Sequence, residues 1–220
     1  SPRHAVVAAN GEYTHPERQV ALLHDADLVI AADGGANWLA AMGLGADLLV
    51  GDLDSASPEA VRALEEGGCQ VVRHPERKEA TDTELALAEA VARGATRITV
   101  LGAIGGRIDH TLGNILLLAL PGLEGVAVRL FDGVSYLSLV RGEACVRGEK
   151  GDLVSLLPIG GNAHGIRTEG LEYPLRGETL RPGPARGISN VLTGPEARVW
   201  VGEGCLLMVH TPLTNLEGPA

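Results

Sequence analysis

Short, nearly continuous apolar runs alternate with helix-forming stretches through the first two thirds of the chain, and this alternation restricts the fold more than any other feature. Strands buried on both faces of a parallel sheet have this composition, because helices cover both faces. The predicted strands are residues 4–9, 27–32, 47–50, 70–73, 97–101 and 126–131. We therefore predict an α/β fold, with an N-terminal, mostly parallel α/β/α sandwich in residues 1–139.

Capping sequences mark the expected helix starts between these strands. A capping residue followed by Pro, or by Glu three positions later, is typical of a helix N-terminus. The signals are Thr14 with Pro16 and Glu17, Ser57 with Pro58, and Thr81 with Glu84. Each signal follows a predicted strand, as the alternation requires.

The pattern changes near residue 140. Short apolar runs at residues 153–157, 198–201 and 206–209 are separated by Gly-Gly, Gly-Pro and Gly-Asn pairs. Short apolar runs separated by such turn-forming pairs are typical of an all-β module. Residues 140–220 are therefore predicted to form a small β-sandwich. We expect it to pack on the first domain, on a second copy of itself, or both. Trp200 is expected to lie in one of its strands and to pack in its core.

Charge and composition exclude several classes of protein. The net charge is −10, and no run of Lys or Arg is present to bind a nucleic-acid backbone. No window reaches the roughly 18 apolar residues of a membrane span. The three cysteines lie far apart, which argues against disulfides and structural zinc and favours a reducing cytoplasm.

Polar residues follow five of the predicted strands, where ligands bind in open parallel sheets. These loops are Asn10-Gly11-Glu12, Asp33-Gly34-Gly35-Ala36-Asn37, Gly51-Asp52-Leu53-Asp54-Ser55, Thr81-Asp82, and Gly105-Gly106-Arg107-Ile108-Asp109-His110. Four of the five contain Asp. Crowded carboxylates favour a hard cation such as Mg²⁺, which usually works with substrate phosphates.

Structural explanations compete at three of these positions. Asp82 is also favoured by a helix dipole, and Asp109 is also a candidate N-cap for a helix over residues 111–120. Asp33-Gly34-Gly35 by itself is an ordinary turn. The paired Asp52 and Asp54 after a buried strand are the strongest indication of a metal site.

Three classes of function fit the residues. The first is a Mg²⁺-dependent phosphoryl or pyrophosphoryl transferase. The second is a phosphatase of the haloacid-dehalogenase type with Asp52 as nucleophile, although that class carries its motif on the first strand and needs a downstream Lys. The third is a non-catalytic nucleotide-sensing module, which would not need so many acids at one edge.

The ordered set of motifs resembles the thiamine pyrophosphokinase family. The resemblance is carried by Ala32-Asp33-Gly34-Gly35-Ala36-Asn37, Gly51-Asp52-Leu53-Asp54-Ser55, Thr81-Asp82-Thr83-Glu84-Leu85-Ala86, Gly105-Gly106-Arg107-Ile108-Asp109-His110 with Asn114, Gly170-Leu171-Glu172-Tyr173-Pro174-Leu175, and Gly187-Ile188-Ser189-Asn190. These motifs occur in the order of the family and span nearly the whole chain.

The resemblance implies a homodimer that transfers pyrophosphate from ATP to the hydroxyl of thiamine, giving thiamine diphosphate and AMP. It implies Mg²⁺ bound by Asp52, Asp54 and Asp82, with Asp54, Arg107 and Asp109 in catalysis. The residues expected to bind ATP are Asp33, Gly34, Gly35, Asn37, Lys78, Thr81 and Arg107. Thiamine, expected near the subunit interface, would meet Asn114, Ser189 and Asn190.

Two segments depart from the family pattern. Arg77 stands in a run that is commonly acidic in the family, and we expect the adjacent Lys78 to reach the phosphates of ATP. No aromatic residue is present in Cys205-Leu206-Leu207-Met208, where some relatives stack a ring on thiamine. Thiamine is therefore expected to rest more on aliphatic contacts.

Overall fold

The computed structural model describes residues 3–74 and 80–216. The chain forms two compact units, Ser1–Gly133 and Val134–Ala220. The boundary expected from the sequence, between residues 139 and 140, lies inside the first strand of the second unit, Tyr136–Val140. No helix in the described part of the chain is long and apolar enough to cross a membrane.

The first unit contains six strands and five helices among its described residues, and all six strands are close to their predicted positions. The strands are β1 (His4–Ala8), β2 (Leu28–Ala32), β3 (Leu48–Gly51), β4 (Gln70–Arg73), β5 (Arg97–Leu101) and β6 (Ala127–Phe131). The helices are α1 (Pro16–His24), α2 (Gly35–Ala41), α3 (Pro58–Glu66), α4 (Asp82–Ala92) and α5 (Ile108–Leu116), followed by 3₁₀ turns Leu117–Ala119 and Pro121–Leu123.

The strands of this unit pair in the order β6-β5-β1-β2-β3-β4, and every pair is parallel. All five residues of β1 are buried, as expected for a central strand covered on both faces. The chain steps outward from β1 to β4 and then returns to place β5 on the other side of β1. The strand order therefore reverses between β1 and β5, where ligands bind in sheets of this type.

Two of the three predicted helix caps are present. The Ser57 hydroxyl accepts a hydrogen bond from the Ala60 N–H at 3.1 Å, and the Thr81 hydroxyl accepts one from the Glu84 N–H at 3.2 Å. Each bond satisfies an N–H group that the first turn of a helix leaves free. These caps fix where α3 and α4 begin at the carboxyl edge of the sheet.

Two other predictions about helix starts are wrong. His15, not Thr14, is the N-cap of α1, because the Thr14 hydroxyl instead donates a hydrogen bond to the Asp132 carbonyl at 3.3 Å. Helix α5 begins at Ile108, so Asp109 lies in its first turn and is not its N-cap. The helix-cap explanation for Asp109 therefore does not hold.

The second unit is built mainly from β-strands, as predicted. Its strands form two sheets, β12-β9-β14-β7 and β11-β10-β13-β8, around an apolar core. The strands are β7 (Tyr136–Val140), β8 (Glu143–Arg147), β9 (Leu153–Pro158), β10 (Ala163–Glu169), β11 (Arg176–Leu180), β12 (Asn190–Val191), β13 (Glu196–Trp200) and β14 (Leu206–Thr211), with a single helical turn α6 (Leu213–Leu216). Trp200 lies in β13 but is only half-buried. Its expected place in the core was wrong, because its neighbours Val199 and Val201 face inward instead.

Candidate active site

All five loops predicted to meet at the carboxyl edge line one cavity of about 890 Å³ in the first unit. Six carboxylates contribute to its lining: Glu12, Asp33, Asp52, Asp54, Asp82 and Asp109. Arg107 supplies the one guanidinium among the described lining residues. The cavity is therefore strongly acidic and would bind a polyphosphate only together with cations.

Three of these carboxylates converge closely. Asp33, Asp52 and Asp82 each offer an oxygen, and the three oxygens lie within 4.8 Å of one another. Asp54 lines the same cavity but is not a member of this cluster. Its backbone N–H donates to Asp52 Oδ1 at 3.2 Å, and its carboxylate accepts a hydrogen bond from the Ser55 hydroxyl at 3.0 Å.

Asp33 is the buried member of the cluster. Its carboxylate accepts hydrogen bonds from the backbone N–H groups of Ser55, at 3.3 Å, and Ala56, at 3.2 Å. Burial raises the pKa of Asp33, and the nearby carboxylates of Asp54 and Asp82 raise it further, against the opposing effect of the Ser55 hydrogen bonds. Both burial and the neighbouring acids disfavour the ionised form of Asp33, and a bound cation would favour it.

Unusual backbone conformations hold the cluster together. Asp33 has φ of 43° and Leu53 has φ of 67°, which are uncommon angles for residues with side chains. Gly51, with φ of 141°, lies so close to α4 that a Cβ there would be 2.8 Å from Asp82 Oδ1. These three positions bring the ends of β2 and β3 against the start of α4, and strain of this kind often occurs at functional sites.

Arg107 and Asp109 form a two-pronged ion pair at the edge of the cavity. Arg107 Nε donates to Asp109 Oδ1 at 3.1 Å and Nη2 donates to Oδ2 at 2.6 Å. The hydrogen bonds from Arg107 lower the pKa of Asp109, and the reciprocal contact raises the pKa of Arg107. The pair presents a fixed, oriented guanidinium beside the acidic cluster.

Glu12 is a lining residue that the sequence analysis did not include among the site residues. Its Oε1 accepts a hydrogen bond from the Gly106 N–H at 3.0 Å, so it holds the glycine loop that precedes Arg107. Gly105, with φ of 99°, packs against Glu12 so closely that a Cβ would be 2.8 Å from Glu12 Cβ. The available signal was its position directly after β1, at the point where the strand order reverses.

The remaining predicted residues of the first unit differ in whether they line the cavity. Thr81 and Asn114 line the cavity, and Asn114 Nδ2 donates to the Ala103 carbonyl at 2.8 Å. Gly34, Gly35 and Asn37 are not among the described lining residues. The prediction for Lys78 lies outside the described residues.

Beside the cavity, close packing at Gly35 and hydrogen bonds of Asn37 hold the backbone in place. An added Cβ at Gly35 would be 1.9 Å from the Ala8 carbonyl oxygen, so α2 packs directly on the β1 backbone. The Asn37 side chain accepts from the Ser57 N–H and donates to the Ser55 carbonyl, both at 2.8 Å. These contacts fix the loop that carries Asp52 and Asp54.

Ser189 and Asn190 lie in the second unit. Asn190 lines a groove of about 570 Å³ together with Ile188 and Tyr173, whose side chain is 66% exposed. The Asn190 amide donates to the Tyr173 carbonyl at 2.8 Å and accepts from the Tyr173 N–H at 3.0 Å. Ser189, with φ of 57°, is exposed beside this groove.

An acidic cavity with one guanidinium, at the carboxyl edge of a parallel sheet, is the arrangement expected of a transferase of phosphoryl or pyrophosphoryl groups. The sequence matches the family model for the catalytic domain of thiamin pyrophosphokinase over residues 20–128, and that for its vitamin B1 binding domain over residues 144–206. The chain belongs to the thiamine pyrophosphokinase family.

Individual relatives agree with this assignment. The chain is 29% identical to thiamine pyrophosphokinase of Bacillus subtilis over 163 residues, which cover 73% of this chain and 76% of the relative. A crystal structure of the Bacillus subtilis protein superposes with a TM-score of 0.82 at 26% identity, covering 96% of this chain and all of the other. A thiamin pyrophosphokinase family protein from Enterococcus faecalis gives 0.79 at 28% identity, covering 95% and 98%. The haloacid-dehalogenase alternative is not supported by these matches.

Proposed function

We propose that the acidic cavity of the first unit binds ATP with Mg²⁺ and is the place where pyrophosphate is transferred. The protein itself is a thiamine diphosphokinase: it transfers pyrophosphate from ATP to the hydroxyl of thiamine and forms thiamine diphosphate and AMP. The observation that supports the placement is the convergence of Asp33, Asp52 and Asp82 at the carboxyl edge of the sheet. They share one cavity with the loops after β1 and β5, between which the strand order reverses.

The cluster fits a magnesium ion. Three carboxylate oxygens within 4.8 Å of one another are hard donors of the type Mg²⁺ prefers. Burial raises the pKa of Asp33, and the neighbouring Asp54 and Asp82 contribute to the rise, so a bound cation would favour the ionised cluster. We propose that Asp52 and Asp82 hold the ion with Asp33, and that Asp54 lies beside it. When bound, the ion neutralises charge on the phosphates and on the departing AMP.

Arg107 is proposed to neutralise negative charge that develops on the transferred group. Asp109 is proposed to orient Arg107, because its carboxylate holds two edges of the guanidinium. Glu12 positions the same loop through the Gly106 N–H. Thr81 and, outside the described residues, Lys78 are proposed to contact the phosphates. Pyrophosphoryl transfer depends mainly on such positioning and charge neutralisation.

Thiamine is proposed to bind where Asn114 of one chain and Ser189 of another come together in a homodimer. Asn114 lines the acidic cavity, whereas Ser189 is exposed on a loop of the second unit. The contacts of Asn190 favour an indirect role, because its amide is engaged with the Tyr173 backbone. We place the protein in the cytoplasm, where its three free cysteines would stay reduced.

Product analysis of the purified chain with ATP, Mg²⁺ and thiamine tests this proposal. We expect thiamine diphosphate and AMP in equal amounts, with Asp52→Asn lowering kcat on the order of 100-fold or more, because a charged ligand of the metal is lost. Asp47→Asn is the matched control. Asp47 lies just before the same strand, and its carboxylate accepts a hydrogen bond from the Val29 N–H that an amide oxygen can also accept.

Other products would assign the cavity differently. Thiamine monophosphate with ADP would mean phosphoryl transfer, and free phosphate without a thiamine product would mean a phosphatase. Full activity of Asp52→Asn, or equal losses in Asp52→Asn and Asp47→Asn, would contradict the proposed role of the acidic cluster.

A further inference from the structure

The outer face of the four-stranded sheet in the second unit carries a row of four side chains, one from each strand. Arg176 of β11 is paired with Arg167 of β10, Arg167 with Trp200 of β13, and Trp200 with Glu143 of β8. The register between β10 and β11 shifts at an irregularity just before the arginine pair. Residues in register on one face have neighbouring side chains, and like charges directly opposite are destabilising. The repulsion between two adjacent guanidinium groups therefore has to be offset by some other interaction. This pairing is all the more unusual in a chain of net charge −10.

The other arginines on this face have carboxylate partners. Arg147 pairs with Glu196 at 3.8 Å, and Arg198 pairs with Glu143 at 3.6 Å and with Glu196 at 3.5 Å. Within residues 3–74 and 80–216, neither Arg167 nor Arg176 forms an ion pair. Three acids lie close to the row: Glu143 pairs with Arg198, Glu178 pairs with Arg186 and also accepts a hydrogen bond from the Arg176 backbone N–H, and Glu169 of β10 lies opposite Arg198.

Trp200 orients one of the two arginines. The guanidinium carbon of Arg167 lies 4.8 Å from the centre of the Trp200 ring. A guanidinium held over a ring by a cation–π contact makes no hydrogen bond to that ring, so its N–H groups stay available to phosphate oxygens. The contact with Trp200 therefore orients Arg167 without using the groups that bind an anion.

Space for a ligand lies beside this row. Both arginines and Trp200 line a cavity of about 650 Å³, and four of its nine lining residues are glycines. At two of these, Gly142 and Gly177, even an added Cβ would meet no atom within 4 Å. The space at these two positions is open, so a small anion can reach the two guanidinium groups. Glu143 also lines the cavity, but it is paired with Arg198.

We propose that Arg167 and Arg176, with Trp200 as support, form a second ligand site that binds a phosphate or diphosphate group. Two adjacent guanidinium groups supply several charge-assisted hydrogen bonds to such a group, and the anion removes the repulsion between them. Two sources share this chemistry: a free inorganic anion, and a diphosphate ester such as thiamine diphosphate. The site shares no lining residue with the acidic cavity, which repels free anions without a metal.

Equilibrium dialysis of the full chain against radiolabelled pyrophosphate tests this site, at constant ionic strength and with EDTA to remove divalent metal. We expect one saturable site per chain, with Arg167→Gln and Arg176→Gln each weakening binding about tenfold or more. Arg147→Gln is the matched control, since Arg147 is an exposed arginine of the same sheet that already has a partner. Asp52→Asn is expected to leave this binding unchanged, which separates the result from the proposed function.

A fluorescence measurement locates the bound anion. The chain has two tryptophans, so Trp38→Phe leaves Trp200 as the single reporter, and its emission should change with the same saturation curve. Competition experiments distinguish the two sources of the anion. If thiamine diphosphate competes with pyrophosphate and thiamine does not, the ester is the ligand. If only inorganic phosphate competes, the free anion is the ligand.

Absence of saturable binding, binding unchanged in both arginine variants, or an equal loss in Arg147→Gln would overturn the proposal. Thermal melting of each variant verifies folding, and Arg167→Lys, which keeps the charge but not the planar group, should give an intermediate loss.

Discussion

Asp152 is a buried carboxylate that connects three parts of the second unit. It accepts hydrogen bonds from the Glu149 N–H at 3.0 Å, the Leu213 N–H at 2.9 Å and His210 Nε2 at 2.8 Å. Because an ionised carboxylate only accepts hydrogen bonds, His210 carries a proton on Nε2. Burial favours the neutral acid, but these hydrogen bonds outweigh it and hold the pKa of Asp152 below its ordinary value of 3.8.

This lowered pKa predicts a pH-dependent contribution to stability. A carboxyl whose pKa is lower in the folded chain stabilises the fold above its unfolded pKa, and the contribution is lost as the pH falls through the folded pKa. Asp152→Asn should therefore lower the free energy of unfolding by about 1–3 kcal/mol at pH 7, since an amide group then faces N–H donors. Below about pH 4 the difference between the two proteins should shrink.

Denaturant unfolding of both proteins from pH 7 to pH 3 measures this difference. Asp25→Asn is a suitable comparison, because Asp25 is exposed and, among the described residues, its carboxylate forms no ion pair. A difference that stays constant or grows on acidification would contradict the assigned ionisation state of Asp152.

Helix α2 is held against strand β1 at a distance that only glycine allows. The Cβ of an alanine at position 35 would lie 1.9 Å from the Ala8 carbonyl oxygen. Gly35→Ala should push the start of α2 away from the sheet and cost about 1–3 kcal/mol of stability. Activity should fall as well, because Asp33 and Asn37 flank this contact and the Asn37 side chain holds the loop of Asp52 and Asp54.

Gly45→Ala is the control for this element. Gly45 lies in the loop after α2, where an added Cβ would meet no atom within 4 Å. Thermal melting and the thiamine diphosphate assay should separate the two variants. Equal melting temperatures for Gly35→Ala and wild type would show that α2 can shift without cost.

The elements of the first unit could be predicted from the sequence more fully than the contacts inside its site. Alternating strands and helices place every strand-to-helix loop at one edge, so the five loops had to meet. Which carboxylates converge depends on backbone angles that no local pattern reveals. The left-handed conformations of Asp33 and Leu53 bring Asp33, rather than Asp54, into the cluster with Asp52 and Asp82. Hydrogen bonds between residues far apart in the sequence are equally hard to predict. An example is the bond between the Asn190 side chain and the Tyr173 backbone, 17 residues away.

Helix α5 exposes three large apolar side chains on one face. Ile108, Leu112 and Leu116 are four residues apart and share one face of the helix. They are 75%, 57% and 56% exposed, and no residue of α5 is buried. The same helix contributes Asp109 and Asn114 to the acidic cavity. An apolar face beside the cavity is suited to contact with a second copy of the chain, which could supply its Ser189 loop.

We therefore predict that the protein is a dimer and that this face contributes to the interface. Leu112→Gln combined with Leu116→Gln should shift the molar mass measured by light scattering towards the monomer, because the buried apolar contact is lost. The loss of thiamine diphosphate formation should be greatest at low protein concentration, where the dimer dissociates. Met42→Gln, at an apolar residue that is 42% exposed at the end of α2, should leave both mass and activity unchanged. A wild-type monomer with full activity would contradict the dimer, and a double variant that remains an active dimer would place the interface on another surface.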